Sequence, residues 1–216
     1  MITNLSEQYS VVSDWVADIR DKQIQQDRMR FRYNTERIGE IAGYEISRHL
    51  EFAEKEVQTP LGTATCRTLK EQPVLGTILR AGIPLHNGLS RVFDRADHAF
   101  VGAYRKHRED GSFAIHLEYL SCPDLEDRTL ILADPMLATG ASLVKTLQQL
   151  QQAGTPRRIY VVTVIAALPG IHHMMEHFPE ARLWAGAIDQ QLNNKGYIVP
   201  GIGDAGDLAF GPKKQQ

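Results

Sequence analysis

An apolar stretch that runs straight into a turn of small residues, and then into an amphipathic helix, constrains this fold more than any other feature. Residues 130–133 are all apolar, which is typical of a buried strand. After the small residues at 138–141, apolar side chains recur every three or four positions from Ser142 to Gln152, which predicts a helix that ends before Gly154. A helix that packs on the strand preceding it is the building unit of an α/β protein.

The same alternation continues on both sides of this segment. Further buried strands are predicted over 74–79, 158–167 and 182–188, with helices between them that end at Phe93 and His177. This order predicts a mostly parallel sheet flanked by helices. The remaining predicted elements are N-terminal helices at 13–22 and 25–50, a hairpin of 57–59 with 64–69, and an antiparallel β-arm of 100–104 with 113–120.

Length and composition narrow the class of protein. A chain of 216 residues suits a single domain over 1–216, and a net charge of -2 offers no footprint for nucleic acid or a membrane surface. Two cysteines far apart indicate neither a disulfide framework nor a zinc site. With no apolar N-terminal leader and no membrane-spanning run, we expect a cytoplasmic protein.

The turn itself has the chemistry of a phosphate site. Asp134 follows the strand, and the hydroxyls of Thr139 and Ser142 surround Gly140 at the helix start, where free N–H groups favour an anion. A nucleotide P-loop would need Lys where Ala141 stands, and a dinucleotide fingerprint would need three glycines. A ribose 5-phosphate fits both halves of the loop, although an ordinary strand-to-helix connection remains an alternative.

Three motifs resemble those of the uracil phosphoribosyltransferase family, a branch of the type I phosphoribosyltransferases. Asp-Pro-Met-Leu-Ala-Thr-Gly at 134–140 is similar to its loop for 5-phosphoribosyl diphosphate (PRPP). Ile-Leu-Arg-Ala-Gly at 78–82 resembles its pyrophosphate loop, and 196–211 resembles its uracil-binding segment. Pro135 stands where most type I members have a second acidic residue, and Ala141 where we expect a second glycine. The likeness spans roughly residues 30–211.

The resemblance implies the type I phosphoribosyltransferase fold and an enzyme that converts uracil and PRPP to UMP and diphosphate in pyrimidine salvage. It implies catalytic roles for Asp134, Asp204 and Arg105. The PRPP-binding residues that it implies are Arg80, Arg105, Asp134, Pro135, Met136, Leu137, Ala138, Thr139, Gly140, Ala141, Ser142 and Asp204. Those implied for uracil are Ile198, Gly203, Asp204 and Ala205. Mg²⁺ would arrive with PRPP, without a direct protein ligand.

Each charged candidate also has a simpler interpretation. Arg105 belongs to a basic run that would suit a solvated turn, Asp134 would serve as a helix cap, and the residues around Asp204 would form a tight turn. His173 and His177 lie four apart on a predicted helix, and for them we favour structural or surface roles over a metal site.

Uracil offers two acceptors and one donor, which backbone groups of the Gly-rich segment can match. Cytosine would place a donor against a donor, at a cost of about 1–3 kcal/mol. The alternative to the enzyme is a PRPP-binding pyrimidine regulator that binds nucleic acid, and a purine phosphoribosyltransferase is the nearest enzymatic rival. The resemblance further implies a homo-oligomer, and it leaves open GTP as an activator; we expect no nucleic-acid or membrane partner.

Overall fold

A computed structural model of the protein describes residues 1–107 and 113–212, with the backbone alone for 103–107 and 113–118. The strands are β1 (Ile2–Asn4), β2 (Phe52–Thr59), β3 (Gly62–Leu69), β4 (Val74–Leu79), β5 (Asp97–His107), β6 (Phe113–Ser121), β7 (Thr129–Ala133), β8 (Met136–Leu137), β9 (Arg158–Ala167), β10 (Arg182–Asp189), β11 (Gln191–Leu192) and β12 (Ile198–Val199). The helices are α1 (Val11–Arg20), α2 (Arg28–Ser47), α3 (Ile83–Val92), α4 (Ala141–Leu150), α5 (Leu168–His177) and α6 (Ala205–Phe210).

Most strands belong to one central sheet. Its order is β1-β10-β9-β7-β4-β5-β6, and β8 joins it beside β9. Neighbours are parallel along this order except β5 and β6, which pair antiparallel. The predicted mostly parallel sheet with an antiparallel arm is therefore confirmed. Two small antiparallel pairs, β2–β3 and β11–β12, lie outside it.

The sheet is buried on both faces, as the continuous apolar runs of its strands require. Along β7, Ile131 and Ala133 face one apolar cluster, which also holds side chains of α1, α2, α3 and α6. Leu130 and Leu132 face the other cluster, which is built with α4 and α5. The helices thus form two layers, and the carboxyl ends of the parallel strands open along one edge between them.

Helices α2 and α3 approach at backbone distance. A Cβ atom on Gly39 would collide with the carbonyl oxygen of Leu85, and one on Gly88 would collide with that of Glu36. At Gly43, a Cβ atom would lie 3.2 Å from Val92. The four-residue spacing of Gly39 and Gly43 therefore serves close helix packing.

Two predicted boundaries were wrong for identifiable reasons. The second N-terminal helix begins at Arg28 rather than near position 25, because the Asp27 carboxylate accepts the amides of Met29 and Arg30 and caps it. Strand β2 begins at Phe52 rather than at 57, and it pairs with β3 along its whole length. Its side chains are mostly exposed, so no apolar alternation marks its first half.

Within residues 1–107 and 113–212, no helix combines the length and the apolar character needed to cross a bilayer. Cys66 and Cys122 are free thiols. Burial raises the pKa of the Cys122 thiol, which favours its protonated form.

Candidate active site

The first half of the loop after β7 is bound to the sheet by its backbone. The Asp134 amide donates to the Val162 carbonyl at 3.1 Å, and the Pro135 carbonyl accepts two amides of β9, each at 3.0 Å. The next two residues form β8, which continues the pairing with β9. This half of the loop is therefore an extension of the sheet, and it leaves the Asp134 carboxyl half-buried at the carboxyl edge.

Gly140 makes the turn into α4 and cannot be another residue without strain. Its φ is +79°, and a Cβ atom would lie 2.8 Å from the Gly170 carbonyl oxygen and 3.2 Å from Cδ2 of His173. In the described part of the chain no side chain caps α4. The helix dipole and the first-turn N–H groups there favour an anion.

The other loop residues divide by burial. Pro135 and Leu137 are buried, so they can present only backbone to a ligand, whereas Met136, Ala138, Thr139, Ala141 and Ser142 are half-buried. Ala141 is the first residue of α4, with a helical backbone that accepts a methyl group without strain. Its amide lies 3.4 Å from Oγ1 of Thr139. The substitution of Ala for the expected Gly at this position is thus compatible with the loop.

The loop that contains Arg80 lies beside the loop of Asp134. Strands β4 and β7 are direct neighbours, and Thr77 pairs with Ala133. At Gly82 a Cβ atom would lie 2.9 Å from the Ala133 carbonyl oxygen, so the two loops are in backbone contact. Arg80 itself is exposed, and its Nη2 donates to the Gly211 carbonyl at 3.3 Å.

The C-terminal segment reaches both of these loops. The position of a Cβ atom on Gly196 lies 3.6 Å from Cγ2 of Thr139, and that on Gly206 lies 3.7 Å from Cβ of Ala81. Three motifs that are far apart in the sequence therefore meet at the carboxyl edge of the sheet. Within the segment, Ile198 and Ala205 are buried, while Gly203 is exposed with a φ of +89°.

Asp204 combines a structural role with an exposed carboxylate. Its Oδ1 accepts the amide of Asp207 at 3.0 Å, and it caps α6. The side chain is exposed at the junction of the segment with Ala81. The tight-turn interpretation of Asp204 describes its local geometry and leaves the carboxylate open to a ligand.

A buried ion pair that sequence reasoning missed holds this segment in place. Asp189, at the end of β10 and 6% exposed, accepts from Nη2 and Nη1 of Arg20 at 2.6 and 3.0 Å. Its Oδ2 also accepts the Gly201 amide at 2.9 Å, and Arg20 donates to the Gly201 carbonyl at 3.1 Å. The backbone N–H and C=O of Gly201 are thus both fixed. The sequence did carry one sign of this role, because Asp189, like Asp134, is a carboxylate that comes directly after a predicted buried strand.

Arg105 lies on the antiparallel arm. Its backbone pairs with Ile115 in the β5–β6 ladder, while its side chain is outside the described part of the structure. The tip of the arm, residues 108–112, is also outside it.

The fold, a mostly parallel sheet flanked by helices with an antiparallel arm, is that of the type I phosphoribosyltransferases. A family model described as "Uracil phosphoribosyltransferase" matches residues 6–212. The chain therefore belongs to the uracil phosphoribosyltransferase family, whose members are pentosyltransferases.

Relatives of the chain are similar over nearly their whole length. A uracil phosphoribosyltransferase of Porphyromonas gingivalis is 43% identical over 213 residues, which cover 98% of this chain and 99% of the relative. One of Thermococcus gammatolerans is 39% identical, with 93% and 89% covered. The solved structure of the AQ2163 protein from Aquifex aeolicus superimposes with a TM-score of 0.87 at 31% identity, over 98% of both chains.

Proposed function

We propose that this protein transfers the 5-phosphoribosyl group of PRPP to N1 of uracil, giving UMP and diphosphate in pyrimidine salvage. The observation that carries the proposal is the convergence of residues 80–82, 134–142 and 196–211 at one edge of the sheet. In the reaction the bond from C1 to the diphosphate oxygen breaks, the bond from C1 to N1 forms with inversion, and the N1 proton is released. The relatives are named as this enzyme, and they give no support to a nucleic-acid-binding regulator.

The ribose 5-phosphate is assigned to residues 134–142. The first-turn amides of α4 with Thr139 and Ser142 hold the phosphate, while Asp134 accepts from the ribose hydroxyls. Positive charge develops on the ribose ring as the bond at C1 breaks. A carboxylate about 4 Å away stabilises that charge by roughly 4 kcal/mol at an effective dielectric constant of about 20.

The diphosphate is assigned to Arg80 and Arg105, since a guanidinium binds phosphate oxygens in a bidentate fork and keeps its charge. In the structure the Arg80 guanidinium rests on the Gly211 carbonyl, a neutral partner that an anionic ligand can replace. Mg²⁺ enters with PRPP and, when bound, neutralises diphosphate charge. The exposed carboxylate of Asp204 has the oxygen chemistry that suits the water shell of such an ion.

The base is assigned to Ile198, Gly203, Asp204 and Ala205. Backbone amides and a carbonyl of this segment match the two acceptors and the donor of uracil without a charged side chain. Because Arg20 and Asp189 fix the backbone C=O and N–H of Gly201, two residues before Gly203, the backbone groups next to the proposed base site are positioned before the base binds. Preorganised groups of this kind reject cytosine, whose amino group would face a donor.

We further propose that the chain acts as one domain over 1–216, in the cytoplasm and as a homo-oligomer. An apolar stripe on α2 supports the oligomer, since Met29, Tyr33 and Tyr44 lie on one side of that helix and are 50–61% exposed. Analytical ultracentrifugation, which measures the mass of the protein in solution, tests the homo-oligomer. GTP is proposed as an activator, and comparing initial rates with and without it decides the point.

The decisive experiment incubates purified protein with PRPP, Mg²⁺ and one base at a time: uracil, cytosine, orotate or hypoxanthine. We expect UMP and diphosphate with uracil and no nucleotide with the other three. Formation of inosine monophosphate would favour the purine rival, and the absence of UMP with a folded, PRPP-binding protein would refute the proposal.

A further inference from the structure

Three potential metal ligands, none of them among the residues assigned to PRPP and uracil, share one face of α5. His173, Glu176 and His177 occupy positions i, i+3 and i+4, which place their side chains next to one another. One ligand atom from each lies within 4.8 Å of the other two. The two imidazole rings are 4.5 Å apart, and Nδ1 of His173 is 3.9 Å from Oε2 of Glu176.

The hydrogen bonding of His177 prepares it for coordination. Its Nδ1 lies 2.9 Å from the His173 carbonyl oxygen. A carbonyl can only accept, so Nδ1 carries the proton and Nε2 carries the lone pair. A backbone carbonyl that orients a histidine through its other ring nitrogen is the usual support of a metal-binding imidazole.

We propose that His173, Glu176 and His177 bind one divalent transition-metal ion of the Zn²⁺ class, with water completing a tetrahedral shell. The ligand atoms of a tetrahedral zinc ion lie about 3.4 Å apart. Glu176 and His177 are exposed, so small rotations of their side chains can bring the three ligand atoms to this separation. Two nitrogen ligands favour Zn²⁺, Ni²⁺ or Cu²⁺ over Mg²⁺, which prefers oxygen. The site is therefore chemically separate from the magnesium that accompanies PRPP.

The site lies directly behind the phosphate loop. His173 is the residue whose Cβ and Cδ2 crowd Gly140, and Gly170 in the same helix presses against Ala138. An ion that holds His173 to His177 also fixes the surface on which the loop rests. Binding itself needs neither PRPP nor uracil, so it can be measured without the enzyme assay.

The helix supplies its own control. His172 is a neighbouring histidine on α5, exposed and outside the cluster, so His172→Ala removes an imidazole without removing a ligand. Untagged full-length protein, stripped with a chelator, is titrated with Zn²⁺ by calorimetry, and with Co²⁺ by visible absorption. Far-UV circular dichroism verifies the fold of each variant.

We expect one ion per chain in the wild type and in His172→Ala. Affinity should fall by about tenfold or more in His173→Ala and His177→Ala, and less in Glu176→Gln. It should also weaken as the pH is lowered, because a protonated imidazole has no lone pair to offer. Equal affinity of wild type and His177→Ala would overturn the proposal, as would no binding by the wild type at roughly 1 mM ion.

Discussion

The proposed phosphate loop, residues 134–142, and the proposed base segment, residues 196–211, meet at the same edge of the sheet, but they are held there by different means. Residues 134–142 are bound by backbone hydrogen bonds to β9 and by backbone contact of Gly140 with α5. The base segment is held by arginine side chains that donate to its carbonyls, at Gly201, Ala209 and Gly211, and by Asp189, which accepts the Gly201 amide. One half of the site belongs to the sheet, and the other half is attached to it.

The two halves of the site therefore differ in what fixes their positions. Backbone hydrogen bonds to β9 hold Asp134 and Pro135 of the phosphate loop independently of their side chains. The position of the base segment depends on side chains, among them the ion pair of Arg20 with the buried Asp189. Removing one partner of such a pair leaves the other charge uncompensated.

The largest effect is expected on the phosphate side. Asp134→Asn keeps the shape of the side chain and removes the charge that stabilises the developing ribose cation. We expect kcat to fall on the order of a thousandfold, equivalent to about 4 kcal/mol, with a much smaller change in the free energy of unfolding. Steady-state kinetics and urea unfolding measure the two. An unchanged kcat would show that the ribose lies elsewhere.

Asp189→Ala breaks the attachment of the base segment. We expect the free energy of unfolding to fall by about 3 kcal/mol, because Arg20 loses its partner in a buried pair. The KM for uracil should rise about tenfold or more, with the KM for PRPP nearly unchanged. Asp97→Ala, which breaks the exposed pair with Arg128, is the control and should cost less than about 1 kcal/mol. A parallel rise of both KM values would contradict the division of the site into two halves.

Two glycines with similar backbone angles test the role of crowding. Gly140 and Gly203 have φ values of +79° and +89°, but a Cβ atom would be 2.8 Å from a carbonyl oxygen at Gly140 and would meet nothing within 4 Å at Gly203. We expect Gly140→Ala to cost about 2 kcal/mol or more and to weaken PRPP binding, and Gly203→Ala to cost about 1 kcal/mol. Urea unfolding and PRPP calorimetry measure these effects. Equal costs would mean that α5 yields to the added methyl group.

We expect acid to lower the free energy of unfolding of the protein, an effect that does not separate the two halves of the site. Burial, and next the nearby His98, lower the pKa of His86 to about 4. The unfolded chain, with an ordinary value near 6.5, therefore takes up this proton first, and stability is lost as the pH falls from about 6.5 toward 4. At pH 5 the resulting loss in the free energy of unfolding is roughly 2 kcal/mol. Urea unfolding at pH 7.5 and pH 5 measures this loss of stability in the wild type. We expect the loss to be smaller in His86→Gln. An equal loss in the wild type and in His86→Gln would exclude His86 as the cause.

Local patterns predicted the parts of the fold that are buried. Strands β4 and β9 were predicted at 74–79 and 158–167, where they are found, because uninterrupted apolar runs between polar residues mark strands buried on both faces. The exposed first half of β2 and the two-residue β8 carry no such pattern and were missed. Hydrophobic periodicity arises from burial, so it does not indicate elements whose side chains lie outside the core.

The contacts of the candidate site were predictable only in part. The neighbouring positions of Arg80 and Asp134 follow from strands that end at one edge, a rule of parallel sheets. The pairing of Arg20 with Asp189 joins residues 169 positions apart, and no local motif indicates which arginine a carboxylate will meet. The assignment of individual residues to PRPP and uracil stays a prediction, which the substitutions above test.

The hydrogen bond from Arg20 to Gly201 also has a consequence for biosynthesis. These residues lie 181 positions apart, at opposite ends of the chain. During translation the central sheet can assemble before residue 201 has been made, but the backbone of Gly201 gains its support only after it has docked against Arg20 and Asp189. On this view the proposed base site is completed late in folding, after the central sheet has formed.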